Sequence, residues 1–384
     1  MLPIAADRTV FDARLTLAAF GVIALAGLAL GWNKGQLPRC EAAGAGVGCL
    51  SGAKCTAADD ELAPDLALYA AIIADVRGGR DYYDAAHERI PQAGFPISSP
   101  LNWRLPTYAW VLSRLPNKCW IQGVLLLAGI AGLTLTFAAE RGGSSIGPTA
   151  ATTLLMFGVF RWVLDGQAYL AQEVWAGVLL VISTAALRLG ESQRKWRLLA
   201  VVAGTAALLF RELALPYCLV AGGIAVWRRR WLEASLWGGG LALFALLVAW
   251  HMGQVRSQLA EDGVTAGGAG LAQWLRLGGL DFVLLTLRMN SLLFSWSPAL
   301  LWLYLLASLL GLAHRADDAS RVCCLAVLLY LGAFAVVGRP ENFYWGLLAA
   351  PLLVWGTAHA PAALAEKWRR AVGASVPAPS VASS

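Results

Sequence analysis

The sequence predicts an all-α polytopic membrane protein of about ten transmembrane helices, with a long polar loop between the first two. Three observations carry this. Hydrophobic residues make up 58% of the 384 positions and charged residues only 14%, where a soluble domain carries about 25% charged residues. Apolar runs recur along the chain, several of them short against the roughly 20 residues needed to cross a hydrocarbon core, and mean hydropathy is +0.60. Arg and Lys gather in alternate loops, the asymmetry that orients membrane helices. The net charge of +6 therefore speaks of membrane topology and not of a nucleic-acid partner. The chain shows no internal repeat and no HExxH or CxxC metal motif.

The first apolar run, 15–32, is longer than a signal-peptide core and reads as a retained helix. A polar region, 33–117, follows. Its first part is rich in Gly and Ala and reads as loop. It carries Cys40, Cys49 and Cys55; in an oxidising compartment two of these would pair, in any of three ways, and one would remain. Cys119, Cys218, Cys323 and Cys324 fall in or beside spans and read as packing thiols. Leu62, Leu66, Tyr69, Ile73 and Val76 then share one helical face, as in an amphipathic helix lying at the membrane interface, closed by Gly78-Gly79. A second short helix is expected over 82–89, stopped by Pro91, and a third amphipathic segment over 108–115.

Further spans are expected at 119–137, 146–162, 170–187, 198–210, 213–226, 236–251, 299–312, 322–337 and 347–357. The stretch 271–296 carries Arg276, Asp281, Arg288 and Asn290 and reads as interfacial or re-entrant. Basic residues cluster before the first span, at Arg188–Arg197, at Arg228–Arg230, at Arg315 and Arg321, and after the last span. This puts both termini in the cytoplasm and the long first loop outside, in the periplasm of a Gram-negative cell. Residues 1–370 thus form one membrane domain including the outer loop 33–117, and 371–384 read as a disordered cytoplasmic tail. Tryptophans such as Trp103, Trp110, Trp120, Trp162, Trp274 and Trp345 suit an interfacial aromatic belt.

Polar residues concentrate at the outer ends of these spans. One set lies in the first loop. A second is the short turn "LDGQAYLAQEVWAG", with Asp165 and Glu173. A third is "FRELALPY", with Arg211 and Glu212, backed by "GRPENFYWG", with Asn342 and Tyr344. Ionisable groups at membrane depth are costly and point to function. Each also has a structural reading. Asp65 can face water on an interfacial helix, Asp81 can cap the helix that follows it, and Arg104 can snorkel to headgroups. Glu173 can complement a helix dipole, Arg211–Glu212 can be a self-neutralising pair, and His87 and His251 read as surface or interface histidines.

The first loop, "PDLALYAAIIADVRGGRDYY" followed by "NWRLPTYAWVLSRL", resembles that of the GT-C glycosyltransferases, membrane enzymes using polyprenyl-phosphate-linked sugars. The pattern is similar to that of the aminoarabinose transferase and of lipopolysaccharide-core and protein mannosyltransferases. Asp65 and Tyr69 match its acidic residue and following Tyr; Gly79, Asp81 and Tyr82 match its Gly-Asp-aromatic turn with Arg80 intervening; Arg104, Pro106 and Trp110 match its basic-Pro-Pro-Leu-x-x-Trp stretch, with Leu105 in place of the first Pro. The chain departs from the pattern in about thirty extra residues before Asp65, which make Asp59, Asp60 and Glu61 rivals to it.

The resemblance implies a sugar transferase at the outer membrane face. Asp65 would be the general base, with Asp81 and Glu173 as further acidic candidates; Arg104 would hold the donor phosphate, with Arg211 a second candidate. Tyr69, Tyr82, Glu212, Asn342 and Tyr344 complete the expected substrate-binding set. The donor would be a polyprenyl-phosphate-linked sugar within the membrane lipid, and the acceptor an envelope glycan, lipid or protein. No cofactor is demanded, and a divalent metal is compatible with the acidic residues. The competing readings are a transporter or flippase of a lipid-linked or small envelope substrate, and a structural subunit of an envelope assembly.

Overall fold

The computed structural model describes residues 62–142, 144–263 and 277–373. The first span, the three loop cysteines, Asp59, Asp60, Glu61, Trp274, Arg276 and the tail from 374 lie outside the described residues.

All regular structure among the described residues is helical. Three short helices precede the bundle: α1 (Pro64–Arg77), α2 (Tyr82–Gln92) and α3 (Pro106–Ser113). The bundle follows as α4 (Lys118–Arg141), α5 (Ile146–Phe160), α6 (Gln172–Leu189), α7 (Lys195–Phe210), α8 (Leu215–Trp227) and α9 (Trp231–Glu261). It continues as α10 (Gly279–Leu287), α11 (Pro298–His314), α12 (Asp318–Val336), α13 (Gly346–Thr357) and α14 (Ala360–Gly373). Every segment expected to span after the first loop is helical. Among the described residues five of these helices are long and apolar enough to cross a membrane, and α13 with α14 and the turn before them count as a sixth if that bent pair is one span. The remaining apolar helices are shorter because polar breaks cut them, as at Arg211 between α7 and α8.

The bundle is built around α6 and α13. From Gly346 to Gly356 every residue of α13 is buried, and α6 is buried on nearly all sides. Small residues let backbones meet there. A Cβ on Gly311 of α11 would sit 1.9 Å from the Gly356 carbonyl oxygen, and one on Gly177 of α6 would sit 2.6 Å from the Leu347 carbonyl oxygen. Leu127 and Ile130 on α4, Leu154 on α5 and Leu243 and Leu246 on α9 are exposed, which suits helices facing lipid.

Four expectations change. The second short helix does not stop at Pro91; it continues to Gln92, and Gly94 at φ +81° turns the chain away. The helix α1 is not a one-faced helix lying on lipid. Leu66, Leu68, Ile72 and Ile73 are all buried, because α1 packs on both α2 and α3. The segment expected over 236–251 is a 31-residue helix, α9, about 46 Å long at ~1.5 Å per residue. It outruns a ~30 Å hydrocarbon core, and its polar end docks on α2. There His251, Val255 and Leu259, one turn apart each, are buried. His251 is therefore no surface residue. Trp110 and Trp120 are exposed, whereas Trp103, Trp162 and Trp345 are buried and so belong to no belt, with the Trp162 indole donating to the Met289 carbonyl at 2.7 Å. The described part of 271–296 forms the short buried helix α10 and the turn after it, too short to span.

The basic loops meet at one end of the bundle, where Arg188 and Arg315 pair with Asp317 (2.8 and 2.9 Å) and Arg228 with Asp318 (2.9 Å). The helices α1–α3 lie at the opposite end.

Candidate active site

At that opposite end a cavity of about 360 Å³ opens between α1, the loop 95–104 and the turn Pro340–Trp345. Asp65, Tyr69, Ser99, Asn102, Arg104, Arg339, Glu341, Asn342 and Tyr344 supply its polar lining.

Local sequence explains each position. Pro64 fixes the first turn of α1, so Asp65 enters at its N-terminal end, where its Oδ1 accepts from the Leu66 backbone at 3.0 Å. Tyr69, one turn on, faces the same way. Leu105, the residue before Pro106, is kept out of the α region at φ −58° and ψ 136°, so α3 begins only after Arg104, which is left in the loop ahead of it. The Tyr82 hydroxyl donates to the Arg104 carbonyl at 2.5 Å, and Tyr69 accepts from Arg104 Nε at 3.2 Å. The platform is fastened to the bundle through α3: Tyr108 donates to the Tyr169 carbonyl at 2.7 Å, and Thr107 donates to the Leu209 carbonyl.

Behind the cavity runs a chain of charges. Arg104 lies 3.3 Å from Glu212, Glu212 lies 2.8 Å from Arg211, and Arg211 lies 2.7 Å from Glu173. Arg211 sits in extended backbone where α7 breaks, which aims its side chain at the first turn of α6. Arg339 and Glu341 approach to 4.0 Å. Asp65 makes no ion pair with any arginine among the described residues. Its carboxyl is held above the ordinary 3.8, first by burial and second by the nearby Glu173 charge, against a smaller opposing pull from Arg104. A half-buried carboxylate of raised proton affinity faces the same void as a guanidinium fixed on two sides.

The expected residues thus divide. Asp65, Tyr69, Arg104, Asn342 and Tyr344 line the cavity; Glu173, Arg211 and Glu212 form the ionic support behind Arg104. Tyr82 holds the Arg104 backbone and lines no part of the main void. Asp81 is not brought to the cavity: it caps α2, accepting from the Tyr83 backbone at 2.7 Å. Arg339, Glu341, Ser99 and Asn102 were missed. The first two flank Pro340 in the same polar stretch as Asn342 and Tyr344, which was signal enough to include them. Ser99 and Asn102 lie in a loop whose fold local pattern does not announce. Among the described residues no group of three or more His, Cys, Asp or Glu is placed to hold a metal ion.

No family model and no curated protein matches the sequence. Among solved structures, the fold is similar to that of ArnT from Cupriavidus metallidurans, determined bound to undecaprenyl phosphate, with a TM-score of 0.51 at 15% identity over 89% of this chain. The match covers 59% of that protein, so the chain spans about three-fifths of its length. The all-helical fold is thus ArnT-like.

Proposed function

We propose that this chain transfers a sugar from a polyprenyl-phosphate-linked donor to an envelope glycan, lipid or protein acceptor at the outer face of the membrane. The observation that carries the reading is the placement of Asp65 and Arg104 on one cavity among the described residues. The volume suits a small polar substrate, for which sites of roughly 300–1,000 Å³ are usual. The likeness to a protein whose structure holds undecaprenyl phosphate supports a lipid phosphate as the donor's leaving group.

In this reading an acceptor hydroxyl attacks the anomeric carbon. The new C–O bond forms as the bond to the phosphate oxygen breaks, and the hydroxyl proton passes to Asp65. A carboxylate of raised proton affinity is a better base than a free one. The departing phosphate gains charge, and the planar Arg104 guanidinium offers two parallel donors to it. Glu212 and Arg211 keep that guanidinium in place from behind; Arg339, Asn342 and Tyr344 supply the opposite wall. The terminus of α9 closes the platform by holding α2.

The test is transfer of radiolabelled sugar from polyprenyl-phosphate donors to envelope acceptors, with wild type and Asp65→Asn inserted to equal levels. Loss of transfer in the variant alone is expected. Equal transfer by both removes Asp65 from catalysis, and solute movement by the reconstituted protein without any acceptor would favour a transporter.

A further inference from the structure

The turn joining α8 to α9 lies at the end of the bundle opposite the cavity, since α8 leaves the Arg211–Glu212 break and α9 returns to dock on α2. It reads Trp227-Arg228-Arg229-Arg230-Trp231. Trp227 and Trp231 are 69% and 64% exposed and Leu232 78%, so an apolar rim surrounds three guanidiniums. Arg228 lies 5.4 Å from the Trp227 ring centre and Arg321 5.9 Å, a cation–π arrangement that orients both.

The charges of this surface do not balance. Arg228, Arg230 and Arg321 all approach the single carboxylate Asp318, at 2.9, 3.1 and 2.9 Å. Arg230 and Arg197 share Glu233, at 3.2 and 3.5 Å. The Glu191 carboxylate accepts from the Asp318 backbone. Four guanidiniums thus share two carboxylates, Asp318 and Glu233. Arg229 is exposed and forms no ion pair with any described residue.

The backbone sharpens the point. Arg229 has φ +56°, the one non-glycine residue with positive φ among those described. The Arg230 backbone donates to the Ala225 carbonyl at 2.9 Å, closing a helix end of the kind that normally places glycine at this position. A long cation is kept where glycine costs less, and strain of this sort is kept where a site uses it.

We infer that the α8–α9 turn binds the headgroup of an anionic phospholipid in the leaflet at this end of the bundle. Arg229 meets the phosphate, Arg228 and Arg230 add to the field while tethered to Asp318, and Trp227 and Trp231 anchor the turn at headgroup depth. The partner is a lipid and not a free anion, because the cations sit inside an exposed apolar rim on a helix hairpin that enters the membrane.

The test uses the full chain in nanodiscs of phosphatidylcholine with a rising fraction of phosphatidylglycerol. Lipid retained on release is read by native mass spectrometry, and the melting midpoint is read in phosphatidylcholine alone. Wild type is expected to retain phosphatidylglycerol in preference. Arg229→Gly should weaken that retention about fivefold, the share of one cation at a charged surface. Its midpoint in phosphatidylcholine should equal or exceed that of wild type, because glycine suits the turn. Arg229→Lys should retain the lipid. Equal retention by Arg229→Gly and wild type, or no preference by wild type, overturns the inference.

Discussion

Arg211 and Glu173 form an ion pair at 2.7 Å with both side chains buried, 1% and 7% exposed, at the meeting of a helix break and a helix start. The pair joins α7 to α6 directly behind the cavity. A buried pair of this kind is weak evidence of net stabilisation, but breaking one half leaves a lone charge in a low dielectric.

Glu173→Leu alone should therefore cost about 3–5 kcal/mol. Adding Arg211→Met should recover only part of that loss, because Arg211 also pairs with Glu212 at 2.8 Å and the second change takes that partner away. Chemical unfolding in detergent reads both. If the double variant is no more stable than the single one, the pair is not an isolated unit, and Glu212 takes up more of the Arg211 charge than the geometry indicates.

Asp65 separates catalysis from stability. Its folded carboxyl is held above 3.8, by burial first and Glu173 second. The native state therefore keeps this proton to higher pH than the unfolded chain does. The stability tied to it is complete below the unfolded value and is lost as pH rises through the raised native one. Asp65→Asn should remove that loss, so at neutral pH the variant should melt no lower than wild type while transfer falls by at least about a hundredfold. The acid limb of wild-type activity should be shifted upward from that of a free aspartate. A variant that loses activity and stability together would make Asp65 a structural group.

Much of this was legible in the sequence, for reasons that differ by element. Helices of the bundle declared themselves through apolar length, since lipid leaves a span few alternatives. Asp65, Tyr69 and Arg104 were singled out by the resemblance of the first loop to that of the GT-C glycosyltransferases, since local spacing alone gave each of them a structural reading as well. Their convergence with Asn342 and Tyr344 was an expectation drawn from shared placement at outer span ends. Asp81 was ambiguous from the start, and its cap geometry decides for the structural role. What could not be read were contacts set by distant packing. The Arg211–Glu173 bond spans a helix pair, and the polar end of α9 looks like a loop until α2 is there to cover His251, Val255 and Leu259.

Arg104 makes a sharper test of phosphate recognition than of folding. Its carbonyl is held by Tyr82 and its Nε by Tyr69, so Arg104→Lys preserves charge and backbone but loses the fork. Donor KM should rise about ten- to a hundredfold, the size of a lost charge-assisted bond of ~1.5–3 kcal/mol. The variant should fold as wild type. Tyr82→Phe should act in the same direction but less, by loosening the backbone that presents the guanidinium. A larger effect from Tyr82→Phe than from Arg104→Lys would assign the phenol, and not the arginine, to the substrate.

The last prediction concerns the clamp between α9 and the outer platform. Tyr83 hydroxyl lies 2.9 Å from His251 Nδ1, and His251 Nε2 lies 3.2 Å from the Trp103 carbonyl, next to Arg104. With Nε2 protonated, the ring donates to Trp103 and accepts from Tyr83, so one buried imidazole joins α9, α2 and the loop that carries Arg104. At the helix end, His87 and Asp262 make a second link at 2.5 Å. Tyr83→Phe removes the donor and leaves buried Nδ1 unpaired, at a cost of about 1–3 kcal/mol. Because the contact is local, the loss should fall on the platform and not on the bundle. Hydrogen exchange should quicken in α2 and in 95–104 while α6 and α13 stay protected. Transfer should decline through a higher donor KM with little change in kcat, since Asp65 stands on α1 and not on the loosened elements. Uniform quickening across the bundle would mean that α9 supports the whole fold and that its far end has no separate part in presenting Arg104.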